Sequence, residues 1–275
     1  TAALVAKLRG KTGAGMMDCK KALTETQGDV DPALDLLRKK GVATSEKASA
    51  KEAREGVIAQ YIAPGAKRGI LVEVNCQTDF VARNESFQGF ANEVARLLVE
   101  QPEANLDALR EEQVARIREN IKISRYETLE ATGTGLIAAY IHHGAKIGVL
   151  VEVAAGQEST LTNESFLQFV KDITLQVAAA SPIAVSREGI DPAVVAKEKE
   201  IAAEQVKNKP PQAIPKIVEG KLGKFFQTVC LVDQGFIKRN AEVTVQEHLA
   251  ALAKELGDTI TVQRFLRYQV GEAAE

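Results

Sequence analysis

GVIAQYIAPGAKRGILVEV (residues 56–74) and GLIAAYIHHGAKIGVLVEV (residues 135–153) stand 79 positions apart in a chain of 275 and align without a gap. The match resumes as NESFQGF (residues 84–90) against NESFLQF (residues 163–169). Self-similarity at a constant spacing marks one folding unit used twice. Each copy reads as an extended run, a turn at Gly65-Ala66-Lys67 or Gly144-Ala145-Lys146, and a second extended run. Leu71, Val72 and Val74, like Leu150, Val151 and Val153, supply the β-favouring content. A helix follows, with Asn84 or Asn163 placed as the N-cap that satisfies free backbone N–H groups. Each half then offers a further helix and a later strand, residues 121–126 in the first and 260–265 in the second. Both strands alternate apolar and polar, as in a sheet with one covered face. The prediction is an α+β core of two related halves, each a three-stranded antiparallel sheet with helices on one side.

Ahead of the repeat, residues 1–54 hold 11 Lys+Arg and 7 Asp+Glu, a local excess of positive charge in a chain whose net charge is −2. Leu4, Val5 and Leu8 fall at helical spacing before a stop at Thr12-Gly13-Ala14-Gly15. A second helix is predicted from Met16 to Thr26, and a third with Pro32 in its first turn and Leu34, Leu36 and Leu37 behind it, closed by Gly41. The charged stretch 45–55 reads as the tether. Inside the second half, residues 191–206 are helical in pattern, Lys207-Asn208-Lys209-Pro210-Pro211 breaks them, and 214–226 resume. Val194, Val195, Ile201, Val206, Ile214, Ile217, Val218 and Leu222 form a narrow apolar stripe along this pair. Such an antiparallel hairpin either folds onto its own core or pairs with another chain. The domain plan is therefore 1–54, a three-helix domain and linker; 55–134, the first core half; 135–190 with 230–275, the second half and a C-terminal module; and 191–229, the inserted hairpin.

Composition narrows the function. The chain lacks the overall positive charge of a dedicated nucleic-acid binder, and no direct nucleic-acid binding is expected. No apolar run approaches the ~18–20 residues that span a bilayer. The opening residues show no apolar signal region, so a cytoplasmic location is expected. Cys19, Cys76 and Cys230 form no C-x-x-C pair and no disulfide framework, which suits a reducing compartment. Gly13-x-Gly15 lacks a preceding strand and a Walker lysine pattern, so it is not read as a phosphate cradle. His142-His143 sit in the second copy's turn where the first has Ala63-Pro64, with no further Cys or His at ligand spacing. A polar turn or a partner contact is the better reading of that pair. No cofactor, metal or catalytic residue is expected, and the protein is read as a non-enzyme.

The copies differ most between their shared strand and their shared NESF helix start. There the first copy has Asn75-Cys76-Gln77-Thr78-Asp79-Phe80-Val81-Ala82-Arg83, and the second has nine residues without one identity to it. Asp79 and Phe80 sit side by side at a strand–helix junction, where backbone usually lies at the surface. A Phe left in water forgoes roughly 1.5–3 kcal/mol of burial. Phe80 either turns under its own helix or is held out for a partner's pocket. Met16-Met17, the only methionines, are adaptable binding residues. Of two adjacent helical residues one is expected to enter the core. Arg9 and Lys20 flank them.

TGAGMMDCKKAL (residues 12–23), EVNCQTDFVAR (residues 73–83) and YIHHGAKIGVLVE (residues 140–152) closely resemble the elongation factor Ts family, guanine-nucleotide exchange factors for elongation factor Tu. The resemblance covers essentially the whole chain. It implies a ubiquitin-associated-like three-helix domain, a two-part α+β core and a coiled-coil hairpin that dimerises in some members. It also implies that Asp79 and Phe80 intrude near the magnesium and nucleotide of the GTPase. Arg9, Met16, Met17 and Lys20 then correspond to further contacts. So does the turn histidine, His142 or His143, and so does Ile117, although Arg118 follows it where some members carry glycine. The loop 233–238 resembles a C-terminal contact loop. The partner so implied is elongation factor Tu, with a homodimer through the hairpin. A protein- or RNA-binding adaptor is the alternative that the basic N-terminal segment and the repeat also accommodate.

Overall fold

The computed structural model describes residues 2–12, 14–37, 39 and 52–272. The expected stop at Gly41 and most of the charged tether, residues 45–51, lie outside the described residues. Three helices come first: α1 (Ala2–Thr12), α2 (Met16–Glu25) and α3 (residues 30–37). Leu8, Cys19, Ala22, Leu23, Ala33 and Leu37 are buried between them. Glu55 belongs to the first strand rather than to the tether.

The first core half runs β1 (Glu55–Ile62), β2 (Arg68–Cys76), α4 (Asp79–Ala82), α5 (Glu85–Glu100), α6 (Leu106–Ile117) and β3 (Lys122–Glu130). The second runs β4 (Gly135–Ile141), β5 (Ile147–Ala155), a 3₁₀ turn (Glu158–Thr162), α7 (Glu164–Ala180), the hairpin α8 (Pro192–Gln205) and α9 (Ile214–Val229), then α10 (Val245–Leu256) and β6 (Ile260–Gln269). Both sheets are three-stranded and antiparallel, in the orders β1-β2-β3 and β4-β5-β6. Asn84 and Asn163 do cap α5 and α7, their side chains accepting from Ser86 N and Ser165 N at 2.8 and 2.9 Å. Up to α7 the copies correspond at a spacing of 79 residues. Beyond the hairpin the spacing becomes 139, so that α6 corresponds to α10 and β3 to β6.

The expectation of one covered face per sheet is too small. Helices cover one face, where Phe87, Val94 and Val114 pack in the first half and Phe166, Ile173 and Val177 in the second. The opposite faces meet each other, and Ile58, Leu71 and Leu129 are buried against Ile137, Leu150 and Tyr268. The central strands are therefore buried on both sides, which explains why their Ile, Leu and Val residues do not alternate with polar ones, each run being interrupted only by a buried glutamate. Gly69 and Gly148 make the approach possible. A Cβ at Gly69 would lie 2.8 Å from Ile137 Cγ2, and one at Gly148 only 2.4 Å from Ile58 Cγ2.

The turns complete this contact reciprocally. Ile58 N–H donates to Ala145 O, and Ile137 N–H to Ala66 O, each at 2.7 Å. Lys67 Nζ reaches Gly135 O at 2.8 Å while Lys146 Nζ reaches Gly56 O at 3.1 Å. The repeated Gly-Ala-Lys is thus a clasp between halves. Two buried carboxylates add to it. Glu73 accepts from Arg125 Nε at 2.8 Å within its own sheet and from Gly271 N at 2.9 Å in the other half. Glu152 accepts from Arg264 Nε at 2.7 Å and from Thr132 N at 2.8 Å. Arg125 also donates to Gln269 O and Arg264 to Glu130 O, at 2.9 and 2.8 Å. A buried charge left without its partner is costly, so these pairs constrain the docking geometry strongly.

The hairpin packs largely on itself. Ala202, Val206 and Val218 are buried with Ile214, Ile217 and Leu222 beside them. Ala184, Ile190 and Cys230 form a second cluster with Phe225 and Phe226 at its base. Val194 and Ile201 of the stripe point to solvent instead.

Arg125→Ala is expected to cost about 3 kcal/mol or more in urea denaturation, because it strands buried Glu73. For Glu152, burial pushes the carboxyl up, but the Thr132 N–H, Arg264 and the Thr132 hydroxyl together hold it below the usual 4.5. Its contribution is complete above that pH and is lost as the pH falls through the lowered value. The stability difference between wild type and Glu152→Gln is accordingly expected to be largest near neutrality and to shrink in acid.

Candidate partner-binding surface

Helix α4 is four residues long, too short to hold its own conformation, and therefore depends on what surrounds it. Its inner side is Val81, packed against the first-half core, and Ala82, which is buried. Its outer side is Asp79 and Phe80. Phe80 is 82% exposed, the most exposed large apolar side chain among the described residues. Of the two sequence readings, the outward one holds. Asp79 is half-buried and pairs with Arg83 at 3.1 Å along the same turn.

Several groups hold the approach to α4. Thr78 is its N-cap, and the hydroxyl accepts from Val81 N at 3.3 Å. The Glu119 carboxylate accepts from Gln77 N and Thr78 N, both at 3.1 Å, and from the Thr78 hydroxyl at 2.8 Å. Cys76 Sγ donates to Thr78 O at 3.2 Å. Burial, with the Glu119 charge adding to it, pushes that thiol up to about 12, so it stays protonated and inert near neutral pH.

One ion pair links the N-terminal helices to the segment that holds this loop. Asp18, next to Met17, pairs with Arg118, which immediately precedes Glu119. Arg118 takes a left-handed conformation, φ 66°, as the C-cap of α6, and its counterpart in the second half is Gly257, φ 61°. The backbone there favours glycine, and the chain spends the position on an arginine that reaches α2. The expectation that one methionine enters the core is corrected. Met16 and Met17 are 60% and 61% exposed, because Cys19, Ala22 and Leu23 already fill the inward positions of α2. Arg9 and Lys20 are exposed as well.

His142 and His143 are both exposed at the β4–β5 turn, and His142 Nδ1 lies 2.9 Å from the Tyr140 hydroxyl. That turn rests against the first half through Ala145. Ile117 is half-buried against the first-half core, which leaves only part of it for a contact. In the loop 233–238, Ile237 is exposed, and its N–H donates to the side chain of buried Gln176 at 2.9 Å. Among the described residues no group of three or more His, Cys, Asp or Glu side chains could hold a metal ion.

Glu119 escapes the sequence reading, and Arg118 figures there only as a departure from glycine, without a role. The signal was present: at a spacing of 139, Glu119 corresponds to Asp258, whose carboxylate accepts from Gln157 N at 3.1 Å and from Thr160 Oγ1 at 2.6 Å. Finding it required carrying the repeat across the insertion.

The family model described as Elongation factor TS matches residues 77–272. The chain is 40% identical over 293 residues to the Elongation factor Ts of Trichlorobacter lovleyi, an alignment covering all of this chain and 94% of that one. Identity to the Elongation factor Ts of Symbiobacterium thermophilum is 41% over 284 residues, covering 100% and 93%. For the Elongation factor Ts of Clostridium perfringens it is 39% over 291 residues, covering 100% and 94%.

Phe80→Ala is expected to change unfolding free energy by less than about 0.5 kcal/mol, as for an exposed position. Phe87→Ala, at a buried site seven residues on, is expected to cost about 3–5 kcal/mol. Parallel denaturation curves check both.

Proposed function

Since the chain belongs to the elongation factor Ts family, we propose that it promotes GDP release from the GTPase elongation factor Tu during translation elongation, without making or breaking a bond itself. The observation that supports this most is the exposed Phe80 on a braced four-residue helix beside Asp79. An exchange factor works by differential binding: it holds the nucleotide-free GTPase more tightly than the nucleotide-bound one. An acceleration on the order of 10⁴-fold requires about 5.5 kcal/mol of such preference. Burying one Phe side chain supplies ~1.5–3 kcal/mol. In this reading Phe80 wedges into the GTPase and Asp79 disturbs cation contacts near the nucleotide. Arg9, Met16, Met17, Lys20 and the turn histidines hold the wedge in register. Where they bind both states alike, they anchor without accelerating.

The role places the protein in the cytoplasm, and no helix among the described residues is long and apolar enough to cross a membrane. The same reading includes self-association through the hairpin, whose exposed Val194 and Ile201 lie seven residues apart on α8. Sedimentation velocity is expected to show a dimer that Val194→Asp weakens. A Val194→Asp profile identical to wild type would remove the hairpin from that role.

The exchange reading is tested by loading elongation factor Tu with a fluorescent GDP analogue and following release in stopped flow. Acceleration is expected with the wild-type chain, reduced at least tenfold in Phe80→Ala and by a smaller factor in Asp79→Ala. Release unchanged in the double variant would refute the wedge.

A further inference from the structure

We propose that Glu119 is a positioning residue for exchange: acting through Thr78, its carboxylate sets the direction in which α4 presents Phe80. This inference rests on the exchange reading above. Glu119 lies between α6 and β3, 41 and 42 residues from the groups it holds. It takes three hydrogen bonds from two consecutive residues, Gln77 N, Thr78 N and Thr78 Oγ1, at 3.1, 3.1 and 2.8 Å. The Thr78 hydroxyl donates its only proton to Glu119, which turns a lone pair toward Val81 N, the N–H that α4 leaves free in its first turn. One carboxylate thereby fixes both the backbone entering α4 and the cap that starts it. Hydrogen bonds to a charged acceptor are about twice as strong as neutral ones, so the anchor is stiff. Phe80 follows Thr78 by two residues and has no packing of its own to orient it.

The second half separates positioning from mere folding. There Asp258 replaces Glu119, and its carboxylate likewise holds the residues after β5. The short helical turn it anchors carries Ser159 where the first half carries Phe80. The anchor is thus present twice, and in one copy it carries a side chain able to fill an apolar pocket. Arg118, adjacent to Glu119, carries the link to Asp18 beside the methionines, so a shift of this segment moves the wedge and its neighbouring contacts together.

The test is a cycle in the same release assay with the full chain. Glu119→Ala is expected to slow release at saturating factor at least fivefold, and Asp258→Ala less than twofold. In the Phe80→Ala background, Glu119→Ala is expected to cause no further slowing, because the ring through which it acts is gone. Thr78→Val removes the hydroxyl with little change in volume and is expected to reproduce the pattern; it carries the test if Glu119→Ala does not fold. Glu119→Ala or Thr78→Val releasing within twofold of wild type would overturn the proposal. So would an equal slowing with and without Phe80, which marks a general loss of structure. Phe80→Ala releasing at the wild-type rate would instead overturn the wedge reading itself, and the positioning role with it.

Discussion

Two glycines, Gly69 and Gly148, let the sheets of the two halves approach face to face, and the remaining architecture follows from that approach. Each accepts an isoleucine of the other half where a Cβ would collide. Once the faces meet, each Gly-Ala-Lys turn lies over the first strand of the opposite half and donates or accepts there. The buried Glu73 and Glu152 then find partners both in their own sheet and across the divide. Charges so enclosed tolerate little displacement, which makes the core a rigid platform. Rigidity in the platform permits a four-residue helix to hold a phenylalanine in water.

Duplication makes the scaffold and its specialised loop separable. The strands, turns, helix caps and buried ion pairs recur in both halves, so a fold needs them. Asp79-Phe80 occurs once, in a segment where the halves share no residue. The first half also departs from the second at Arg118, which occupies a left-handed position that Gly257 fills at less cost in the other copy. Both departures lie along the path from Asp18 through Arg118 and Glu119 to Thr78, where the chain serves something beyond its own packing.

Much of this was legible in the sequence, for physical reasons that differ by element. The hairpins and NESF helices were readable because strand alternation, turn residues and an asparagine cap act locally. The resemblance supplied the candidate contacts, and the exposure of Phe80, Met16 and Met17 is a matter of which neighbours fill the inward positions. Two adjacent methionines on a helix predict one buried residue, but Cys19, Ala22 and Leu23 already complete that face of α2. The covered second face of each sheet was hidden because the partner that covers it is the other copy, distant in sequence. Glu119 was hidden for the same reason, since its three hydrogen bonds span more than forty residues.

On this account Phe80 acts by preferring one state of its partner. A side chain that bound the GDP-loaded and the nucleotide-free GTPase equally would raise affinity and leave exchange untouched. Calorimetric affinities of wild type and Phe80→Ala for elongation factor Tu, measured with the nucleotide removed and again with GDP saturating, test this most directly. The account predicts at least a tenfold weakening toward the nucleotide-free form and less than a twofold change toward the GDP form. Equal weakening toward both would contradict it.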